Sequence, residues 1–427
     1  MSSSRTSEPR PARSTALVVV LLAGVVFALV AWWRIPWHPV PGGSVAAADP
    51  TRFLSLAEID RAEQYSRWAR VWSWGSLAVS LAVAAWWGLT DTGRRVVDRL
   101  PGRWWARAAL AVAITVLLGR LITLPFAVAF RIHARDYGIT RQSWSGFARD
   151  LAVGELVQIV ATSLAVVVLL ACIRRFPRRW PAVAGGLFAA LVMAGSFVYP
   201  VVVEPLFNSF QPLPDGSLRT GILQLADTEH VHIDDVLVAD ASRRTTTLNA
   251  YVSGFGDTRR VVLYDNLVDE LPQDEVLAVV AHELTHARRD DVLTGSLLGA
   301  SGAALGVGLL GLVLGRRKVG EPGSVPRLLA LFAIASFLAS PVQNGLSRLI
   351  ETRADVGALE ATRDPASFIA MQEELNLHAV SDPTPPAWSQ FWFGSHPTTM
   401  QRIAIAERFE QRAEEPAEEP AEEPAAR

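Results

Sequence analysis

The chain has one cysteine, one lysine and no appreciable excess of either charge. A single cysteine, Cys172, excludes a disulfide framework and a thiolate metal centre, and its place in an apolar run reads as a small buried thiol. With 40 basic and 42 acidic residues the formal net charge is only -2, so no electrostatic bias points to nucleic acid. Lys318 is the only lysine while arginine and alanine abound, a bias that reads as GC-rich bacterial coding. What the 427 residues have in quantity is apolar surface: half are hydrophobic, 14 are tryptophan and the mean hydropathy is +0.24, more than a soluble globular protein needs.

A bilayer core of about 30 Å takes about 20 apolar residues in helix. Seven nearly uncharged runs qualify, at 16–33, 71–89, 108–130, 151–173, 181–203, 292–314 and 328–350. The third and fourth carry Arg120 and Glu155, which read either as polar groups facing a bundle interior or as a structural contact with each other. Arg348, at the end of the seventh, reads as a residue reaching the interface. The first run follows a basic, serine-rich start, and the small residues Ala46, Ala47 and Ala48 lie well beyond it, so an uncleaved anchor is expected rather than a signal peptide.

These runs divide the chain into an N-terminal membrane region (1–203) with five spans, a polar insertion (204–291), two further spans (292–350), a C-terminal segment (351–412) and an acidic, proline-punctuated tail (413–427) that composition marks as disordered. Within the insertion, 216–228 reads as an amphipathic helix and 236–240 as a strand, while 249–255 and 260–264 read as a hairpin around Gly256-Asp-Thr258. A helix is expected over 273–289, with Asp274 and Glu275 near its positive end and Arg288 and Arg289 near its negative end. The fold class expected is therefore mainly α, a polytopic membrane protein with about seven transmembrane helices and a small α+β domain.

On that last helix lies His282-Glu-Leu-Thr-His286. Histidines four apart turn through roughly 400°, which puts both imidazoles on one face about one turn apart. His-Glu-x-x-His is the spacing in which neutral imidazoles bind Zn2+ and the glutamate, here Glu283, acts as general base toward a water. A third ligand is required, and Glu351 supplies one; Asp355, four residues on, shares its helix face and suits a carboxylate that accepts the outer N–H of an imidazole, that of His282. Further along, His396 and Arg402 flank a proline-started helix and are candidate donors to the oxygen that gains charge as an amide is cleaved, with a helix N-cap as the alternative for His396. His230 and His232 resemble a metal pair only superficially, since no third ligand joins them, and a surface strand is the simpler reading.

Together these residues resemble the type I CAAX prenyl endopeptidases, integral-membrane zinc metalloproteases related to the HtpX-type bacterial membrane proteases. The likeness extends beyond the zinc motif to 204–216 (EPLFNSFQPLPDG), 249–256 (NAYVSGFG), 261–265 (VVLYD), Glu351 with Asp355, and Ser395-His396-Pro397 with Arg402, about residues 120–410 in all. It implies seven membrane helices around a large water-filled chamber, with the zinc site at one end beneath a soluble cap. It also implies one Zn2+ on His282, His286 and Glu351, catalysis by Glu283, and contact of His396 and Arg402 with substrate or oxyanion. Asn249, Ala250, Tyr251 and Val252 then resemble the edge strand on which such proteases lay an extended substrate.

Prenylated substrates are eukaryotic, so the substrate class expected here is an extended, hydrophobic or membrane-associated peptide. Arginines are dense before the first span, after the second, after the fourth and after the sixth, and the positive-inside rule puts those loops in the cytoplasm and the 204–291 domain outside it. The function expected is a zinc-dependent membrane endopeptidase. Broad quality-control proteolysis and a non-catalytic transporter or scaffold are the alternatives.

Overall fold

A computed structural model describes residues 11–254, 256, 259–314 and 319–414. Among these, six helical stretches are long and apolar enough to cross a membrane: Ala12–Arg34, Trp104–Asp136, Trp144–Arg175, Trp180–Leu206, Asp291–Leu314 and Pro322–Thr362. They contain the helices α1 (Pro11–Arg34), α4 (Trp104–Asp136), α5 (Trp144–Arg175), α6 (Trp180–Val198), α10 (Asp291–Leu314) and α11 (Val325–Thr362). The seventh expected run, 71–89, is the second half of α2 (Leu56–Leu89), where Trp72, Ser73, Trp74, Ser76 and Ser80 dilute the aliphatic residues. A short helix α3 (Asp91–Asp98) follows it.

The seven long helices are neighbours in the order α1, α10, α6, α5, α4, α2, α11. The ring closes where Leu346, Leu349 and Ile350 of α11 pack on Ala31 and Ile35 at the end of α1. At the opposite end the helices converge on one buried cluster that includes Val97, Val112, Leu170, Trp180, Leu314 and Val325. Between the two ends little is buried, and the most apolar window of 180–206 has no buried residue.

Arg120 and Glu155 resolve as the structural contact, with Arg120 Nε 2.5 Å from Glu155 Oε1 across α4 and α5. The arginine-rich turns at Arg94, Arg95, Arg99 and Arg103, and at Arg174, Arg175, Arg178 and Arg179, all lie at the convergent end, where α2, α5 and α1 have their C-, C- and N-termini.

The domain at the other end is built on a sheet of order β1 (Phe210–Pro212), β2 (Asp235–Ala239), β4 (Arg260–Tyr264), β3 (Ala250–Ser253). β2 and β4 run parallel; β1 and β3 are antiparallel to their neighbours, so the expected 249–264 hairpin is present. Phe255, Asp257 and Thr258 lie outside the described residues. One sheet face, with Val236, Val261 and Leu263, packs on Ile222 of α7 (Ser217–Thr228) and on Val280 and Leu284 of α9 (Gln273–Arg288). The other carries Leu237, Ala239 and Val262 against Phe210, Tyr251 and Tyr264. The central strands are covered on both faces, which is why β4 reads as an unbroken apolar run rather than an alternating one.

His230 and His232 are not on a strand. They lie in the link between α7 and β2, where His230 (φ 56°) takes the left-handed conformation that closes a helix. After α8 (Asp265–Glu270) and α9, the chain enters the membrane helices and returns through α12 (Pro365–Ala379), α13 (Ala387–Phe393) and α14 (Thr399–Glu414). Of the acidic tail, 413 and 414 belong to α14 and the remainder lies outside the described residues.

α11 has 38 residues, about 57 Å of helix, nearly twice the hydrocarbon thickness. It runs unbroken through the 350/351 division and carries its last turns into the soluble domain, where they cross α9. Gly357 makes the crossing possible: a Cβ there would stand 2.5 Å from Thr285 Oγ1, itself buried and bonded to Ala281 O. Gly357→Ala is expected to push the two helices apart and destabilise the fold by about 1–3 kcal/mol. Thermal unfolding in detergent measures this, and an unchanged midpoint would show that the crossing is not tight.

Candidate metal centre

α9 buries the apolar residues of its sequence against the sheet and turns His282 and His286 the other way, toward α11. The result is a convergence of three donors. His282 Nε2 is 3.1 Å from His286 Nε2 and 3.2 Å from Glu351 Oε2, and His286 Nε2 is 3.7 Å from Glu351 Oε1. A tetrahedral ion with ligands at roughly 2.0–2.1 Å separates its donors by about 3.3–3.4 Å, so the three observed spacings bracket what Zn2+ requires. Within the described residues, His282, His286 and Glu351 are the group of three able to hold a metal ion.

The outer nitrogens fix which way each imidazole presents its lone pair. His282 Nδ1 lies 3.0 Å from Asp355 Oδ1, and His286 Nδ1 lies 2.9 Å from Asp291 Oδ2. A neutral imidazole has one N–H, and a carboxylate only accepts, so in the neutral form that binds a metal both protons sit on Nδ1 and both Nε2 lone pairs are left for the ion. The partner expected for Asp355 is the one found. Asp291 was not anticipated; its signal in the sequence is a carboxylate five residues beyond the second histidine, at the start of the next helix.

Arg402 has a different neighbour from the one expected. Its Nε donates to both Asp355 oxygens at 3.0 Å and its Nη2 to Oδ1 at 2.5 Å, while Asp355 is fully buried. Nη2 also stands 3.3 Å from His282 Nδ1, but two donors cannot bond each other, and Asp355 takes both. Arg402 thus stands behind Asp355 and is not part of the cavity wall.

His396 does face the site. Its Nε2 is 3.3 Å from Glu351 Oε2 and its side chain is 58% exposed. It does not cap α14; the Thr398 hydroxyl does, accepting from Gln401 N at 3.2 Å. Arg348, expected near the interface, instead holds the segment before His396, donating to the carbonyls of Gln390 (2.9 Å) and Gly394 (2.5 Å).

Beside the three donors lies a cavity of about 370 Å³ whose walls include Glu283, His396 and the strand residues Ala250, Tyr251 and Val252. β3 ends the sheet. Tyr264 N donates to Asn249 O at 3.0 Å, and with Ala250 opposite Leu263 the antiparallel alternation assigns the groups of Asn249, Tyr251 and Ser253 to β4. The N–H and C=O of Ala250 and Val252 are therefore directed to the open edge.

The electrostatics favour a cation among these groups. Burial opposes charge on both imidazoles, yet Asp355 and Glu351 hold His282 above its ordinary value, and Asp291 and Glu351 push His286 up to about 10. Groups that attract positive charge this strongly suit a divalent ion, whose binding releases their protons. Burial raises Glu283 above the ordinary carboxylate value, with the two imidazoles acting in the opposite direction.

Comparison with known proteins extends the likeness along the chain. Residues 52–209 match the CAAX prenyl protease N-terminal region, described as five membrane helices, and residues 212–410 match peptidase family M48. An uncharacterized metalloprotease of Bacillus subtilis, YhfN, is 29% identical over 85% of this chain and 88% of its own length. A CAAX prenyl protease 1 homolog of Oryza sativa is 30% identical over 70% of this chain and 73% of its own length. The crystal structure of S. mikatae Ste24p superposes with a TM-score of 0.72 at 18% identity, covering 92% of this chain and 99% of that one, and so shares the fold. With a membrane-helix ring, a soluble domain and a His-His-Glu centre where they join, this chain belongs to the M48 family of CAAX protease-like membrane metalloproteases.

Proposed function

We propose that the protein is a zinc-dependent endopeptidase that hydrolyses extended, hydrophobic or membrane-associated peptides at the join of its helix ring and soluble domain. The observation that carries the reading is the convergence of His282, His286 and Glu351 on one point, with a carboxylate on the outer nitrogen of each imidazole. His282, His286 and Glu351 would hold Zn2+, which supplies a polarised carbonyl and a water of lowered pKa. Glu283, in the cavity wall beside the two histidines, would serve as the base that accepts a proton from the attacking water and returns it to the leaving amine. His396, exposed in the cavity, is placed to donate to the carbonyl oxygen as it gains charge. Arg402 serves by fixing Asp355, and through it the His282 ring.

Glu283→Gln keeps shape and removes the proton acceptor. It is expected to retain one Zn2+ per chain, read by metal analysis, and to lose peptide cleavage by at least about 100-fold; full cleavage by this variant would remove Glu283 as the base.

Substrate is held by main-chain pairing to the open edge of β3, at the N–H and C=O of Ala250 and Val252, so extension of the peptide matters more than its side chains. Asn249 and Tyr251 flank those groups and set the register. Val252→Pro deletes one of the outward N–H groups where an edge strand tolerates proline. KM is expected to rise several-fold with zinc content unchanged; an unaltered KM would mean the peptide does not pair there.

The catalytic domain faces away from the cytoplasm. The support is that the arginine-dense turns gather at the convergent end of the ring, opposite the metal centre. A reporter fused after Arg427 is expected to be active outside the cytoplasm, and cytoplasmic activity would reverse the orientation.

A further inference from the structure

His286 is steadied from three helices at once. Its Nδ1 partner Asp291 is the first residue of α10 and is nine-tenths buried. The other oxygen of that carboxylate, Oδ1, accepts from Arg353 Nη2. Arg353 lies on α11 midway between Glu351 and Asp355; two residues on a helix turn through about 200°, so it points away from the side that presents those carboxylates and reaches Asp291 beyond the end of α9. Its Nη1 donates at 3.4 Å to the carbonyl of Arg34, the last residue of α1.

Arg34 closes the arrangement. Its Nη2 donates to the carbonyls of Arg289 (2.9 Å) and Asp290 (3.3 Å), just past the end of α9, and its Nε to Thr294 Oγ1 (2.9 Å) in the first turn of α10. Carbonyls at a helix C-terminus lack intrahelical donors and carry the negative end of the dipole, so a guanidinium there is doubly suited. α1 is seated closely along α10: a Cβ at Gly308 would stand 2.8 Å from Val20 Cγ2. α1 also precedes the segment 52–209 that matches the membrane region of the relatives.

The two imidazoles are therefore supported alike, His282 through Asp355 to Arg402 and His286 through Asp291 to Arg353. A buried carboxylate that loses its cation is left uncompensated and gives up charge or position, and with it the tautomer and aim of the imidazole it held. We infer that Arg353 and Arg34 are positioning residues for His286, acting through Asp291, and that the seating of α1 on α10 thereby sets the geometry of the metal centre. This rests on the reading of His282, His286 and Glu351 as metal ligands.

The test measures Zn2+ affinity by chelator competition, and the visible spectrum with Co2+ in place of Zn2+, on the full chain in detergent. Arg353→Ala is expected to weaken binding by about 10- to 100-fold and alter the Co2+ spectrum. Arg353→Lys recovers part of the loss, because it keeps the charge without the fork, and Arg34→Ala shifts affinity in the same direction by less. Adding Arg353→Ala to Asp291→Ala should weaken binding no further than Asp291→Ala alone, since both act on one path. Wild-type affinity and spectrum in Arg353→Ala, or additive effects in the double variant, overturn the inference, as does a loss of folded protein with unchanged affinity in what remains folded. A wild-type chain that binds neither Zn2+ nor Co2+ would instead overturn the ligand reading itself, and the inference with it.

Discussion

The hydrogen bond on the outer nitrogen of each imidazole is the constraint from which the architecture around the centre follows. Two histidines one turn apart can aim at one point only if both rings are prevented from rotating and both hold their proton on the side away from it. Asp355 and Asp291 do this from different elements, one on α11 and one at the head of α10. Each is a buried carboxylate and needs a cation in turn. The arginines that answer come from α14 and α11, so four helices, α9, α10, α11 and α14, are committed to a single point in space.

How much of this the sequence disclosed depended on whether the interaction was periodic. His282 and His286 share a helix face, as do Glu351 and Asp355, and that periodicity is enough to put Asp355 behind an imidazole, with His282 favoured over His286. The seven apolar runs were legible from their length, although the run at 71–89 is diluted by four tryptophans and three serines and falls below the other six in hydropathy. Arg353 was illegible because it sits on the opposite side of α11 from the two carboxylates it separates, and only the arrival of Asp291 at the head of α10 gives it a partner. Arg402 could be placed in the site but not on the correct side of it, since one position on a helix does not say whether the guanidinium reaches the cavity or the carboxylate behind the ligand.

The edge strand illustrates a different limit. Residues 249–253 and 260–264 announce a hairpin, but whether β3 ends the sheet depends on β2 entering parallel to β4 from the far side, a long-range pairing that no local pattern encodes. Once the order is known, the free N–H and C=O groups follow from a single bond, Tyr264 N to Asn249 O, and the two-residue period of the pleat.

The membrane ring and the metal centre are therefore one construction rather than a proteolytic domain attached to an anchor. α11 is too long for the bilayer, and its surplus delivers Glu351, Arg353 and Asp355; α10 begins with the carboxylate that fixes His286; α1 ends in the arginine that joins α9 to α10. Apolar burial in lipid sets where those helices stop, to within about a turn, and the ion pairs at their ends set the remaining fraction of an ångström. A change in helix seating within the membrane is transmitted to the ligands without any moving part between them, because the residues that end the spans are the residues that hold the site.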